Sequence, residues 1–84
     1  MAVVEIGPEQ LRARIGARIR ELAERRGLRL SHLADQAEVS RTHLWEVLAG
    51  RRAPTSDVLA RLAAVLRVDP IELLRAPRKP GPTG

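Results

Sequence analysis

The side chains with the widest scope for chemistry in this 84-residue chain are its arginines. There are 14 Arg and one Lys against 10 acidic residues, so the formal net charge is +5. A guanidinium group presents a planar set of donors that suits phosphate oxygens and guanine edges. A small basic domain favours a nucleic-acid partner. An Arg- and Ala-rich composition also follows from a GC-rich genome, so charge alone does not decide the function.

The other polar side chains do not form a catalytic or metal-binding pattern. The chain has no cysteine, so it lacks a thiolate nucleophile and the sulfur ligands of a zinc site. Its histidines, His32 and His43, lie in different predicted helices rather than at the i, i+4 spacing of a helical metal pair. There is no glycine-rich phosphate loop, and helix capping explains Ser31, Ser40 and Ser56. We therefore expect no enzymatic activity, no cofactor and no metal.

The apolar composition predicts one all-α domain with an aliphatic core. Hydrophobic residues make up 44% of the chain, yet there is one Trp and no Phe or Tyr. The small number of β-branched residues favours helices over strands. The longest apolar run, residues 62–66, is too short for a transmembrane helix or a signal-peptide core. The sequence is interpreted as soluble and cytosolic, with no membrane partner.

Apolar spacing and helix-breaking residues divide the chain into three parts. These parts are an N-terminal arm, a helical domain and a basic Pro/Gly tail expected to be disordered, over residues 1–7, 8–74 and 75–84. Helix 1 is predicted over about 9–26, and Arg18 and Glu21 are assigned to its polar faces.

Four further helices are predicted in the domain. Ser40 is expected to cap the third helix, so helices 2 and 3 cover about 30–37 and 41–49 and form a helix-turn-helix pattern. Thr55 or Ser56 is expected to cap the fourth helix. The pair Asp69-Pro70, with Glu72 helping to cap, predicts the start of a short fifth helix.

The segment Leu33–Pro54, LADQAEVSRTHLWEVLAGRRAP, resembles the helix-turn-helix of lambda-repressor and Cro type, which occurs in the xenobiotic-response-element family of transcriptional regulators. The family pattern extends over about residues 11–74. The resemblance implies a five-helix, lambda-repressor-like fold whose helices 2 and 3 form the DNA-binding unit, with the third helix in the major groove of double-stranded DNA. It also implies a bacterial or phage regulator that acts in the cytoplasm, at the nucleoid.

Three positions depart from that family pattern. Arg29 and Leu30 stand where the family has a Ser or Thr cap on helix 2 followed by a Gln that contacts the DNA backbone. Arg29 is expected either to reach a phosphate or to leave the start of the helix to Ser31. Glu38 occupies the turn position that usually holds glycine, so it must adopt a strained backbone conformation or change the turn.

Periodicity separates the buried and exposed faces of helix 3. Leu44, Val47 and Leu48 define the buried face, so the base-reading face is predicted from the exposed residues Arg41, Thr42, Trp45 and Glu46. The resemblance implies DNA-facing side chains at the same four positions.

Two roles are considered for each of these four residues. Arg41 either pairs with guanine or lies on phosphate or in solvent. Thr42 either contacts a base or helps to cap the helix. Glu46 either accepts from cytosine or, as we favour, holds an arginine by ion pairing. Trp45 either lies on DNA or, as we favour, forms a half-buried lid between helices 2 and 3 whose edge reaches the interface.

A second set of residues is predicted to contact the DNA backbone rather than the bases. Arg51 and Arg52 follow helix 3 directly, in a loop that meets phosphates in the related family; the alternative is a solvated loop. Such contacts position a protein without specifying sequence. The full set predicted for backbone contact is Arg29, Ser40, His43, Arg51 and Arg52.

The size of the domain predicts a homodimer. One recognition helix reads too few base pairs to be selective among ~10⁶–10⁹ competing genomic sites, whereas a symmetric dimer on an inverted repeat doubles the sequence read. We expect a homodimeric repressor. The candidate dimer surfaces are Val65, Ile71 and Leu74, or the arm residues Val3, Val4 and Ile6.

An alternative function is a protein-interaction module of the same fold, as in antitoxins and coactivators, with weak or no specific DNA binding. The missing polar contact at Leu30 favours this alternative. Arg41, Arg51, Arg52 and the positive net charge favour DNA binding.

Overall fold

A computed structural model describes residues 5–77 of the chain, and the helices in that range account for most of them. They are α1 (Pro8–Arg25), α2 (Leu30–Ala37), α3 (Arg41–Leu48), α4 (Ser56–Leu66) and a 3₁₀ helix (Pro70–Leu74). The predicted arm residues Val3 and Val4 lie outside the described residues, as does the greater part of the predicted tail.

The five-helix prediction is wrong in its last member. The described residues contain four α-helices, and the fifth segment is a 3₁₀ helix. Its start is as predicted, because Asp69 Oδ1 accepts a hydrogen bond from the Ile71 amide at 2.9 Å. The segment is short because Pro77 disfavours helical geometry just before it, which leaves too few residues for i→i−4 bonding. Glu72 does not cap the helix; its carboxylate pairs with Arg18 and Arg75.

Capping side chains and one left-handed residue define where the helices around α3 begin and end. Ser40 caps α3, since its Oγ accepts from the His43 amide at 3.0 Å. Arg29 precedes α2 and makes no side-chain capping hydrogen bond, which agrees with the loss of the Ser or Thr cap that the family has at that position. Glu38 ends α2 in the left-handed region, with φ 58° and ψ 42°, so of the two expected outcomes it adopts the strained backbone conformation. Thr55, rather than Ser56, caps α4.

The core is aliphatic and draws on every helix. Leu44, Val47 and Leu48 of α3 all point inward, which confirms the predicted phase of that helix. The largest fully buried side chains are Ile19, Leu33, Leu44, Leu62, Leu66, Leu73 and Val47. Burial of such side chains contributes roughly 1.5–3 kcal/mol each, so this cluster is the main source of stability in a chain without disulfides.

The assignment of Arg18 and Glu21 to polar faces of α1 is wrong. Only 3% of Arg18 and 7% of Glu21 is exposed. Arg18 Nη1 bonds Glu21, while its Nε donates to the Glu72 carbonyl at 2.9 Å and its Nη2 to the Glu72 carboxylate at 3.0 Å. A buried guanidinium needs such partners. Arg18 thereby attaches the 3₁₀ helix to α1.

The helices α1 and α3 meet backbone to backbone near the end of α3. A methyl group at Gly16 would lie 2.5 Å from the Leu48 carbonyl oxygen and 2.9 Å from the Val47 carbonyl oxygen. Beyond α3, Arg12 Nε donates to the Gly50 carbonyl at 3.2 Å. We call this contact the α1–α3 seam. Gly16 permits it because any side chain would push the two backbones apart.

The close backbone contact at the α1–α3 seam predicts whether one substitution raises or lowers the free energy of unfolding. Alanine normally stabilises a helix interior by about 1 kcal/mol relative to glycine. Gly16→Ala is nevertheless expected to lower the free energy of unfolding by about 1–3 kcal/mol, because the new methyl group overlaps rigid backbone atoms. Urea unfolding followed by circular dichroism measures the change. The exposed neighbour Ala17 supplies the control, since Ala17→Gly should cost only the propensity difference. If Gly16→Ala instead raises the free energy of unfolding, α1 and α3 can move apart to accept the methyl group without loss of stability.

Candidate nucleic-acid interface

The outer surface of α3 collects the side chains that were predicted to read bases. Arg41, Thr42 and Trp45 are exposed and Glu46 is half-buried, because the opposite side of the helix is fixed in the core. The last three of these residues, together with Ala49 and Arg51, line one open depression. The structure therefore groups Thr42, Trp45 and Glu46 with Arg51, and Arg41 lies at the start of the same helix.

Trp45 is 44% exposed, which is unusual for the sole aromatic residue of a small domain. Its neighbour Leu44 occupies the inward position, so the indole is left on the outer side of α3. The indole is thus exposed, and its favoured position as a half-buried lid between helices 2 and 3 stays a prediction. Contact of the indole with DNA stays a prediction.

Arg41 forms an ion pair that the sequence did not reveal. Its Nη2 lies 2.9 Å from Asp35 Oδ2, and its Nε donates to Asp35 Oδ1 at 3.3 Å. The hydrogen bonds and charge of Arg41 lower the pKa of the Asp35 carboxyl below its ordinary value, and Asp35 raises the pKa of Arg41. Asp35 lies near the end of α2 and Arg41 begins α3, so the helix-turn-helix geometry brings them together.

Glu46 holds an arginine, as we favoured from the sequence. Its Oε1 lies 3.1 Å from Nε of Arg52, and Nη1 of Arg52 lies 3.4 Å from Nδ1 of His43. The other ring nitrogen of His43 is buried and has no hydrogen-bond partner among residues 5–77. His43 thus faces Arg52 in this structure, and its own contact with a phosphate stays a prediction.

The remaining residues predicted to contact the backbone border the same helices. Arg29, Ser40 and Arg51 are all exposed; Arg29 precedes α2, Ser40 precedes α3, and Arg51 follows α3. Leu30 packs partly against the core, so the start of α2 offers no polar side chain at that position. These placements leave cationic groups at both ends of the helix-turn-helix, and their phosphate contacts stay predictions.

Residues 5–77 contain neither a metal-binding cluster nor a membrane-spanning helix. Across residues 5–77, His, Asp and Glu side chains form no group of three that could hold a metal ion. None of the helices described there has the length and apolar character needed to cross a membrane.

Comparison with known proteins identifies the arrangement. Residues 14–76 match the sequence model of a family described as a helix-turn-helix domain. The restriction-modification controller protein C.AhdI from Aeromonas hydrophila is similar, with a TM-score of 0.71 and 31% identity over 74% of this chain and 94% of that one. The clp gene regulator ClgR from Corynebacterium glutamicum is also 31% identical, over 76% of this chain and 68% of its own, with a TM-score of 0.72.

A third solved structure supports the fold alone. The hypothetical transcription factor NHTF from Neisseria is 24% identical over 93% of this chain and 90% of its own, with a TM-score of 0.77. No curated protein matches the chain.

The Asp35–Arg41 pair predicts a titration that can be followed at one atom. The Asp35 carboxyl carbon, observed by NMR, should titrate with a pKa below 3.8, and Arg41→Gln should move that pKa upward. Since the folded-state pKa is depressed, the pair's contribution to stability is present above the unfolded-state pKa and is lost as pH falls through the folded-state value. Arg52→Gln removes an equal charge without touching Asp35 and should change the Asp35 pKa less. Identical Asp35 titrations in all three proteins would contradict the pair.

Proposed function

The chain belongs to the helix-turn-helix domain family, in its lambda-repressor-like form, and on that premise we propose that it is a transcriptional regulator that binds double-stranded DNA sequence-specifically. The proposal is based on one observation, that α3 has one face buried in the core and the opposite face exposed. One side is fixed in the core by Leu44 and Val47, and the other presents Arg41, Thr42 and Trp45 to solvent. A helix held in this way can enter the major groove without disturbing the fold.

Base reading is assigned to the exposed side of α3. Arg41, at the first position of the helix, has the donors for a bidentate pair with guanine O6 and N7. We propose that Thr42 contacts a base edge or a thymine methyl group and that Trp45 makes apolar contact beside it. Glu46 acts through Arg52, whose guanidinium it holds at 3.1 Å.

Phosphate contacts are assigned to the groups that flank the helix-turn-helix. Arg51 and Arg52 lie just past the end of α3, with Arg52 oriented by Glu46 and His43. Arg29 and Ser40 precede α2 and α3, where free backbone amides also favour an anion. These groups fix the position of the protein on the duplex, and α3 supplies the sequence preference.

A homodimer bound to an inverted repeat completes the proposal. The eight residues of α3 read too little sequence to select one site in a genome, and a two-fold symmetric pair doubles the selection. Ile71 and Leu74 are exposed on the 3₁₀ helix and supply an apolar surface for a second copy.

We expect a repressor that acts in the bacterial cytoplasm by occupying DNA. The similarity to C.AhdI, a controller protein, and to ClgR, a gene regulator, supports a regulatory function.

One observation favours the alternative of a protein-interaction module. Leu30 packs on the core at the place where a polar contact with the DNA backbone was expected, while Ile71 and Leu74 expose apolar surface. A partner protein could use that surface instead of a second copy of the chain.

Selection of bound duplexes from a random pool at physiological salt tests the proposal. We expect enrichment of an inverted repeat with half-site centres about one helical turn, roughly 34–36 Å, apart. Arg41→Ala should flatten the preference at one base pair of each half-site, with a loss of ~1–3 kcal/mol of discrimination. If nothing is enriched and binding disappears as salt rises, sequence-specific regulation is excluded and the protein-interaction function is preferred.

Arg52 should behave differently from Arg41. Because a phosphate contact is independent of sequence, Arg52→Ala is expected to weaken binding to selected and unrelated duplexes alike and to reduce the salt slope by about one unit. Affinities measured at several salt concentrations by fluorescence anisotropy give the slope. The control is Arg67→Gly, which removes the same charge at the end of α4, where φ of 59° suits glycine. A loss confined to the selected duplex would place Arg52 at a base.

A further inference from the structure

The ion pair between Asp35 and Arg41 leaves a particular part of the guanidinium free. Asp35 occupies the edge formed by Nε and Nη2. A guanidinium has five N–H donors in a fixed fork, so the edge formed by Nη1 and the second hydrogen of Nη2 is still available. No acceptor among residues 5–77 takes a hydrogen bond from Nη1. That second edge can donate the two parallel hydrogen bonds that guanine O6 and N7 accept.

Helix stability does not explain this pair. Asp35 lies in the last turn of α2, where the helix dipole disfavours negative charge, and Arg41 lies in the first turn of α3, where it disfavours positive charge. Their side chains are 55% and 60% exposed, and exposed ion pairs contribute little to folding. Both charges therefore oppose the dipoles of their own helices, and each is compensated by the other.

We infer that Asp35 is a specificity-determining residue, which orients the Arg41 guanidinium for guanine and restrains it from the phosphates. The inference rests on the proposed DNA-binding function. An unrestrained arginine at the tip of α3 can rotate to the nearest phosphate, where it adds affinity for every sequence equally. With one edge held by Asp35, the guanidinium loses little further freedom when its second edge meets a base. The negative charge of Asp35 also repels the phosphates of every duplex, which lowers the affinity that is independent of sequence.

Asp35→Asn in the full chain separates this role from a structural one. The selected duplex, a duplex with the Arg41-dependent guanine replaced, and an unrelated duplex are compared by anisotropy. We expect the preference for that guanine to fall by roughly fivefold or more. Affinity for the unrelated duplex should rise, and its salt slope should steepen by about 0.9 as Arg41 gains a phosphate. Asp35→Glu keeps the carboxylate and should restore part of the preference.

Asp57→Asn is the matched control. Asp57 is an exposed acid paired with Arg61 on α4, so its substitution makes the same charge change away from Arg41. It should alter all three affinities by one common factor. Thermal unfolding of each variant verifies the fold, which the exposure of Asp35 is expected to preserve.

The possible outcomes distinguish the two proposals. If the wild-type chain selects no sequence, the proposed function fails and the role of Asp35 fails with it. If the chain selects a sequence but Asp35→Asn keeps the full guanine preference, or weakens all duplexes equally, only the role of Asp35 is overturned. The role of Asp35 is also overturned, and the proposed function kept, if no position of the selected sequence depends on Arg41.

Discussion

The absence of a side chain at Gly16 is the constraint on which the position of α3 depends. It lets the backbone of α1 approach the carbonyl oxygens of Val47 and Leu48, and Arg12 bonds the Gly50 carbonyl just beyond. The C-terminal end of α3 is thereby fixed against the longest helix of the domain. The start of α3, with Arg41 and the Ser40 cap, projects from that fixed end into solvent. Rigid placement of this kind makes a short helix usable for recognition.

The 3₁₀ helix depends on polar attachment more than on its own length. Five residues cannot form a stable helix alone, and Leu73 is the only one of them in the core. Arg18 bonds both the backbone and the side chain of Glu72, and Arg14 Nε donates to the Leu74 carbonyl at 2.9 Å. These arginines hold Ile71 and Leu74 on the surface. The surface available to a second chain is thus built on guanidinium groups of α1.

Local sequence signals predicted most of the fold, while contacts between helices escaped them. The cap at Ser40 and the inward spacing of Leu44 and Val47 act within one helix, so they can be read along the chain. Arg18 was misassigned because a charged residue in a helix is normally solvated, and its partner Glu72 lies 54 residues further on. The type of the fifth helix was missed because a cap signal marks where a helix starts but does not distinguish a short 3₁₀ helix from an α-helix.

The candidate site shows the same limit. Exposure of Arg41 and Trp45 followed from the helix phase, and the pairing of Glu46 with an arginine followed from the charges nearby. Asp35 was overlooked because it lies in α2, and the folded turn between the two helices brings its carboxylate to Arg41. Side chains on one helix are thus predictable, whereas the support they receive from another element requires the structure.

The single tryptophan has an optical consequence. With no tyrosine in the chain, Trp45 accounts for essentially all of its near-ultraviolet absorbance and intrinsic fluorescence. Its indole is half-exposed on α3 rather than enclosed in the core. The emission of this protein therefore reports on whatever covers α3 and says little about whether the aliphatic core is intact. An unlabelled sample carries its own probe at the surface where a ligand is proposed to bind.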